Sequence, residues 1–239
     1  MMREGIKIMM RTREEVACLS LEEKLQFLRS CSTAFAVDAM NLLKLKRWWL
    51  DGLRPLKLGQ TMVAPASTFR LERLRKGEPT RNAYDALELC DAGTVMCIAN
   101  IHDTFRIGGN VVKFAENKGI SGIVIEACNR DTREMREFDI PVYSQGVGAR
   151  VLDSDIPVSF EPVDSVEIGG GKLYAGDILF GDDDGVVAIP GESLDEVIYQ
   201  LEMIKAVEDQ AAEALRDKTY ASPRQFFDEI ITKKKHCRV

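Results

Sequence analysis

Arg130 and Asp131 stand side by side after the apolar run Gly122–Glu126. If that run is a strand of an open α/β sheet, the pair lies just past its carboxyl end, where such sheets bind ligands. A guanidinium there could grip a carboxylate or an enolate oxygen with its planar fork. A carboxylate there could hold a hard divalent cation through oxygen. Together they would make an arginine-plus-metal clamp for a small 2-oxo acid. The same residues allow a plainer reading. Asp131-Thr132-Arg133-Glu134 is a D-x-x-E pattern of the kind that caps a helix start. Spacing alone leaves capping and metal binding both open.

Upstream, Gly108-Gly109-Asn110-Val111 opens a segment with helical periodicity that runs to Lys118, and Gly119 follows where a C-terminal glycine is favoured. Glycines at a helix start leave the first backbone N–H groups open, and the helix dipole favours an anion there. A plain tight turn into a helix would look the same. Glu126, before the arginine, is either a further acid of the site or an ordinary strand residue. His102, in the loop Ala99–Ile107, could shuttle a proton or be a polar loop residue.

The elements that position these residues follow from periodicity. Residues 1–31 read as helical and Thr33–Leu43 as a second helix. Arg54–Gln60 reads as loop, Thr61–Phe69 as a strand and Arg81–Leu89 as helix. A βαβ rhythm follows: strand Val95–Ala99, helix Gly108–Lys118, strand Gly122–Glu126, short helix Thr132–Phe138 and strand Pro141–Ser144. Beyond residue 150 the spacing changes to short strands at Val158–Phe160, Val166–Ile168, Lys172–Tyr174, Asp177–Phe180 and Val186–Ile189. Glycines and aspartates separate them. A long helix, Ser193–Arg216, leads into a ragged tail.

Gly109, twenty intervening residues, Arg130-Asp131, two residues and Glu134 resemble the signature of the RraA-like family. Pro141-Val142-Tyr143-Ser144, Gly176-Asp177-Ile178 and Asp182–Pro190 resemble further family segments in the same order. The resemblance covers about residues 32–215. It implies an α/β fold with a swivelling β/β/α core, here with N- and C-terminal helical arms. The expected layout is an arm over 1–31, the core domain over 32–192, and a C-terminal helix and tail over 193–239. The family includes 4-hydroxy-4-methyl-2-oxoglutarate/4-carboxy-4-hydroxy-2-oxoadipate aldolases, and regulators of RNase E that lack the lyase chemistry. The aldolases imply Mg2+ or Mn2+ as cofactor, a homotrimer or homohexamer, and oxaloacetate decarboxylation as a side activity. By resemblance Asp131 would hold the metal, partly through water, and Arg130 would bind the keto oxygen. The amides of Asn110 and Val111 would hold the pyruvyl carboxylate. Glu208, on a neighbouring subunit's C-terminal helix, would complete the site. The chain departs from the aldolases at Gly109, where they often carry an acid, at Glu126-Ala127, where aspartate-glycine is usual, and in the loop Ala99–Ile107. A non-catalytic protein-binding regulator, or a lyase for another 2-oxo acid, are the alternative readings.

Composition sets the outer limits. The 239 residues carry a formal charge of -6, and the single basic run is Lys233-Lys234-Lys235. That run reads as a solvated tail, so no nucleic-acid partner is expected. Nothing is apolar for long enough to span a membrane, and the first residues do not form a signal peptide. The six cysteines contain no CxxC pair and read as reduced, mostly buried thiols of a cytoplasmic protein. With only two histidines, Cys/His catalysis has little support.

Overall fold

In a computed structural model, the described residues are 10–45, 49–75, 77–100, 106–149 and 157–236. His102 lies outside them. The chain divides into two compact units, one formed by residues 47–191 and one by the two chain ends.

The chain begins with α1 (Arg13–Ala17), α2 (Leu21–Arg29) and α3 (Thr33–Leu42). The expected helical stretch over 1–31 is thus broken, among the described residues, into two short helices. Each starts with its own capping box, Thr12 with Glu15 and Ser20 with Glu23. A new cap satisfies the orphan amides of a new helix, so it fixes the break.

The larger unit contains β1 (Arg54–Pro55), β2 (Met62–Arg73), α4 (Ala83–Leu89), β3 (Val95–Asn100), β4 (Arg106–Ile107), α5 (Gly109–Lys118), β5 (Gly122–Asn129), α6 (Thr132–Met135) and β6 (Val142–Val147). It continues with β7 (Val158–Pro162), β8 (Ser165–Ile168), β9 (Gly171–Tyr174), β10 (Ile178–Asp182) and β11 (Gly185–Ile189). The helical unit resumes with α7 (Leu194–Arg216) and α8 (Pro223–His236). Two expectations change here. Arg54–Gln60 is not all loop, because Arg54 and Pro55 pair with Ser144 and Tyr143 of β6. The tail is not ragged, because Pro223 opens a helix in which its missing N–H costs nothing.

Strands β2, β3, β5 and β6 are parallel neighbours, with α4, α5 and α6 in the connections. The full order is β1-β6-β5-β3-β2-β10-β11, with β4 on β5 and β7 on β2. The segment before β1 nearly closes this sheet. Trp49 bridges Val187 of β11, Leu50 donates to the Val186 carbonyl, and the chain then joins β6 through Arg54 and Pro55.

Side chains alternate across the sheet. Met96, Ile98, Ile123 and Ile125 pack with Leu87, Val112 and Ala115 of the helices. Val95, Cys97, Val124 and Tyr143 pack on the other face with Leu53, Leu173, Leu179 and Ala188. Tyr143 is fully buried, and a Cβ on Gly181 would stand 2.7 Å from its ring. Burial, then the charges of Asp182 and Asp183, push its phenol far above the usual tyrosine range. Strands β8 and β9 form a separate hairpin over this face. Its turn needs Gly169, which has φ +55 and lies so close to Asp51 that a Cβ would be 2.4 Å from that residue's carbonyl oxygen.

In the helical unit, α7 carries Leu194, Val197, Ile198, Leu201 and Ile204 buried at helical spacing. The neighbours α1, α2, α3 and α8 pack against it. Arg11 pairs with Glu202 at 2.6 Å, and Lys24 with Asp195 at 2.6 Å. Of the five described cysteines only Cys90 and Cys97 are buried, so "mostly buried" overstated the pattern. Burial pushes both thiols up, which leaves them inert core residues.

Candidate functional site

Strand β5 runs three residues further than its apolar run, to Asn129, so Arg130 follows the strand directly. The extension carries a bulge. Ile125 pairs with Ser144, yet Cys128 pairs with Gly146, leaving Glu126-Ala127 at an irregular step. Period-two reading ends at such a step, which is why the sequence shows the strand stopping early.

The strand end is tied on both sides. Arg130 N–H donates to the Ile107 carbonyl at 2.9 Å, and Gly148 N–H donates to the Asn129 carbonyl at 2.8 Å. Ile107 leads at once into Gly108-Gly109 and α5. The start of α5 and the end of β5 are therefore held together through backbone.

Asp131 then turns the chain in the left-handed region, at φ 59 and ψ 30. It is the N-cap residue of α6 by position, but its side chain makes no cap bond to α6. Its Oδ2 instead accepts from the amide of Gly109, the first residue of α5, at 3.1 Å. The capping alternative is corrected by one helix: Asp131 caps the helix before the strand. Gly108, the N-cap residue of α5, has no side chain to do so.

Both glycines make room for acids. A Cβ on Gly108 would stand 2.7 Å from Asp131 Oδ2 and 3.2 Å from Arg130 Nε. One on Gly109 would stand 3.0 Å from Glu134 Oε2. The space that a side chain at residue 109 would take is thus occupied by the Glu134 carboxylate. Arg130 Nε lies 3.7 Å from Asp131 Oδ2, with both side chains about two-fifths exposed, so the pair adds little to stability.

Donors remain available around this knot. Among the described residues nothing accepts from the amides of Asn110 and Val111, or from the terminal nitrogens of Arg130. Asp131 Oδ1 likewise has no partner among them. The structure brings together Gly108, Gly109, Asn110, Val111, Arg130, Asp131 and Glu134. It does not bring Glu126 to them. Glu126 lies on the same strand face as Val124, and its Oε1 accepts from the amide of Gly169 at 3.2 Å, in the β8–β9 turn. Glu208 is a half-buried residue of α7, in the helical unit.

Sequence reasoning passed over Asn129. It is fully buried, its Nδ2 donates to Ser144 Oγ at 2.8 Å, and its Oδ1 has no partner among the described residues. A polar residue at the end of an apolar strand was the available signal.

As for a metal, no group of three or more His, Cys, Asp or Glu side chains among the described residues could close around an ion. The unpaired oxygen of Asp131, with the Glu134 carboxylate at the same helix start, fits a different kind of site. Mg2+ and Mn2+ favour oxygen ligands, and Mg2+ keeps several waters while using one or two carboxylates.

The family model described as "RraA-like: Aldolase/RraA" matches residues 33–188. The chain belongs to the RraA-like family. DlpA of Legionella pneumophila is 28% identical over 194 residues, covering 80% of this chain but 31% of its own length. The chain thus spans about a third of that relative. A protein of Halalkalibacterium halodurans, provisionally named 4-hydroxy-4-methyl-2-oxoglutarate aldolase, is 25% identical over 76% of this chain and 88% of its own. The fold matches that of Streptomyces coelicolor RraAS2, titled an unusual member of the RNase ES inhibitor RraA protein family. The TM-score is 0.67 at 24% identity, over 83% of this chain and 96% of that one. The α/β architecture expected from the motifs is therefore that of the family.

Asp131→Ala should lower stability by about 1–2 kcal/mol through loss of the α5 cap. Asp131→Asn, which keeps an acceptor and tolerates the left-handed turn, should stay within a few tenths. Urea denaturation of both variants checks this; equal losses would mean that the Gly109 contact contributes nothing.

Proposed function

We propose that this RraA-like protein is a divalent-metal-dependent lyase. In this reading it cleaves a 4-hydroxy-2-oxo acid to pyruvate and decarboxylates oxaloacetate as a side activity. The observation that carries the reading is the meeting of Arg130 and Asp131 with the glycine start of α5, where Asp131 Oδ2 reaches the Gly109 amide. The family's provisional aldolase names point the same way.

Each residue has a part in it. The open amides of Asn110 and Val111, at the positive end of α5, take the carboxylate of the 2-oxo acid. Arg130 directs its terminal N–H groups at the ketone oxygen. When the C3–C4 bond breaks, its electron pair moves into the enolate, and the new negative charge develops on that oxygen beside Arg130. The 4-hydroxyl gives up its proton to water held by a site carboxylate, and C4 becomes a carbonyl. A proton then returns to C3, giving pyruvate. Asp131 Oδ1, with Glu134 beside it, would hold Mg2+ or Mn2+, largely through water. When bound, the ion supplies Lewis-acid polarisation of the ketone.

Glu208 enters as the acid given by a neighbouring subunit of a trimer or hexamer. A protein-binding regulator remains the other known role in the family, but it gives no task to the Arg130–Asp131 pair. No helix among the described residues is long and apolar enough to cross a membrane, which suits a small polar substrate met in solution.

Purified protein with Mg2+ or Mn2+ should release pyruvate from oxaloacetate and from 4-hydroxy-4-methyl-2-oxoglutarate, and excess chelator should abolish both. Full activity in chelator would exclude the metal; no pyruvate from either substrate would exclude the lyase.

Arg130→Lys keeps the charge and loses the fork. It should cost roughly a hundredfold in kcat, because one preorganised donor is lost from the developing oxyanion. The melting temperature should hold. Unchanged kcat would remove Arg130 from the chemistry, and parallel losses would make it structural.

A further inference from the structure

Cleavage of a 4-hydroxy-2-oxo acid needs a carboxylate to hold the water that takes the hydroxyl proton. The acids near the start of α5 differ in what they already hold. Asp131 Oδ2 is committed to the Gly109 amide. Glu126 is turned away to the Gly169 amide, and Glu208 belongs to the helical unit. Glu134 differs from all three. Its carboxylate has no hydrogen-bond or ion-pair partner among the described residues, and the residue is exposed, so water and a small substrate reach it.

Its own helix does not explain its placement. Glu134 is the third residue of α6, where a glutamate commonly reaches back to the N-cap amide. It makes no such bond to Asp131. The carboxylate lies instead across the first residue of α5. A Cβ on Gly109 would stand 3.0 Å from its Oε2, 3.2 Å from its Cδ and 3.5 Å from its Oε1. Asp131 Oδ2 meets the amide of the same glycine at 3.1 Å, and Arg130 Nε lies 3.2 Å from where a Cβ on Gly108 would be. The two carboxylates thus flank Gly109, one on its amide and one over its α-carbon, at the helix end that carries the open amides of Asn110 and Val111. The positive end of α5 favours an acid there, and a side chain at residue 109 would crowd this one.

We propose that Glu134 is the positioning carboxylate of the cleavage, holding the water that takes the 4-hydroxyl proton, and that residue 109 is glycine to admit it. The proposal rests on the lyase reading. An ionised carboxylate only accepts hydrogen bonds, so a water that donates to Glu134 keeps a lone pair free for the hydroxyl proton. As the O–H bond breaks, its proton passes to that water and its electron pair becomes the C4 carbonyl. The C3–C4 pair becomes the enolate beside Arg130, and the same proton is then at hand for C3. Loss of CO2 from oxaloacetate reaches the same enolate with no hydroxyl to deprotonate.

The test is Glu134→Gln, which keeps the shape and removes the charge. Wild type and variant are compared in kcat, KM and melting temperature with saturating Mg2+, on 4-hydroxy-4-methyl-2-oxoglutarate and on oxaloacetate. The expected result is a kcat that falls at least about tenfold further on the hydroxy acid than on oxaloacetate, with KM little changed and the melting temperature at its wild-type value. Equal falls on the two substrates overturn the proposal and leave Glu134 a role with the ion alone. Wild-type kcat on the hydroxy acid also overturns it, as does a melting temperature that falls in step with activity. Gly109→Ala reaches the same carboxylate from the other side. It keeps the amide that Asp131 caps and suits a helix better than glycine, yet sets a methyl where the carboxylate lies. It should lower kcat on the hydroxy acid with a melting temperature equal to or above wild type; a wild-type rate there overturns the proposal. If the wild-type protein acts on neither substrate, the lyase reading itself falls and takes this role with it, whereas an active wild type with an indifferent Glu134→Gln removes Glu134 alone.

Discussion

The contact on which the site depends is the hydrogen bond from the Gly109 amide to Asp131 Oδ2. It joins the start of α5 to the end of β5 across 22 residues of sequence. One carboxylate oxygen answers the first orphan amide of the helix, and the helix dipole favours its charge. The other oxygen has no hydrogen-bond partner among the described residues. The left-handed turn at Asp131 makes this possible, because it swings the side chain back over Gly108 in place of α6. Both glycines are needed for space more than for backbone freedom, since φ at Gly108 is an ordinary -117.

The other family-like segments serve the frame. Asp177 is buried and accepts from Tyr174 N–H at 2.8 Å and Gly191 N–H at 3.2 Å, closing the turn between β9 and β10. Asp182 accepts from Asp184 N–H at 3.0 Å in the β10–β11 hairpin, and Asp183 accepts from Gly59 N–H at 2.6 Å. These aspartates satisfy backbone donors in tight turns, a common use of aspartate there. Glu126 follows the same pattern, holding the β8–β9 turn through Gly169.

Regular periodicity made the βαβ core legible, and Gly119 ended α5 in the left-handed region as its type and position require. The grouping of Gly109 with Arg130, Asp131 and Glu134 was legible only as a resemblance, since spacing in sequence does not show which helix an aspartate caps. What stayed hidden depends on long-range pairing. The two-residue strand β1 exists only because β6 lies beside it. The last residues of β5 follow a bulge that breaks alternation, and Asn129 is there concealed as one polar residue among apolar ones. Helix α8 was missed because its mixed charged and apolar sequence resembles a solvated tail until Pro223 is seen to begin it.

The central claim is that one knot of residues, α5 start, Arg130 and Asp131, forms the binding site for a 2-oxo acid and its metal. A crystal structure of the protein soaked with Mn2+ and pyruvate tests it most directly. The account predicts the pyruvate carboxylate on the amides of Asn110 and Val111, the keto oxygen at the Arg130 guanidinium, and anomalous density for Mn2+ on the Asp131 side. Pyruvate or Mn2+ bound elsewhere, with this knot unchanged and solvated, would contradict it.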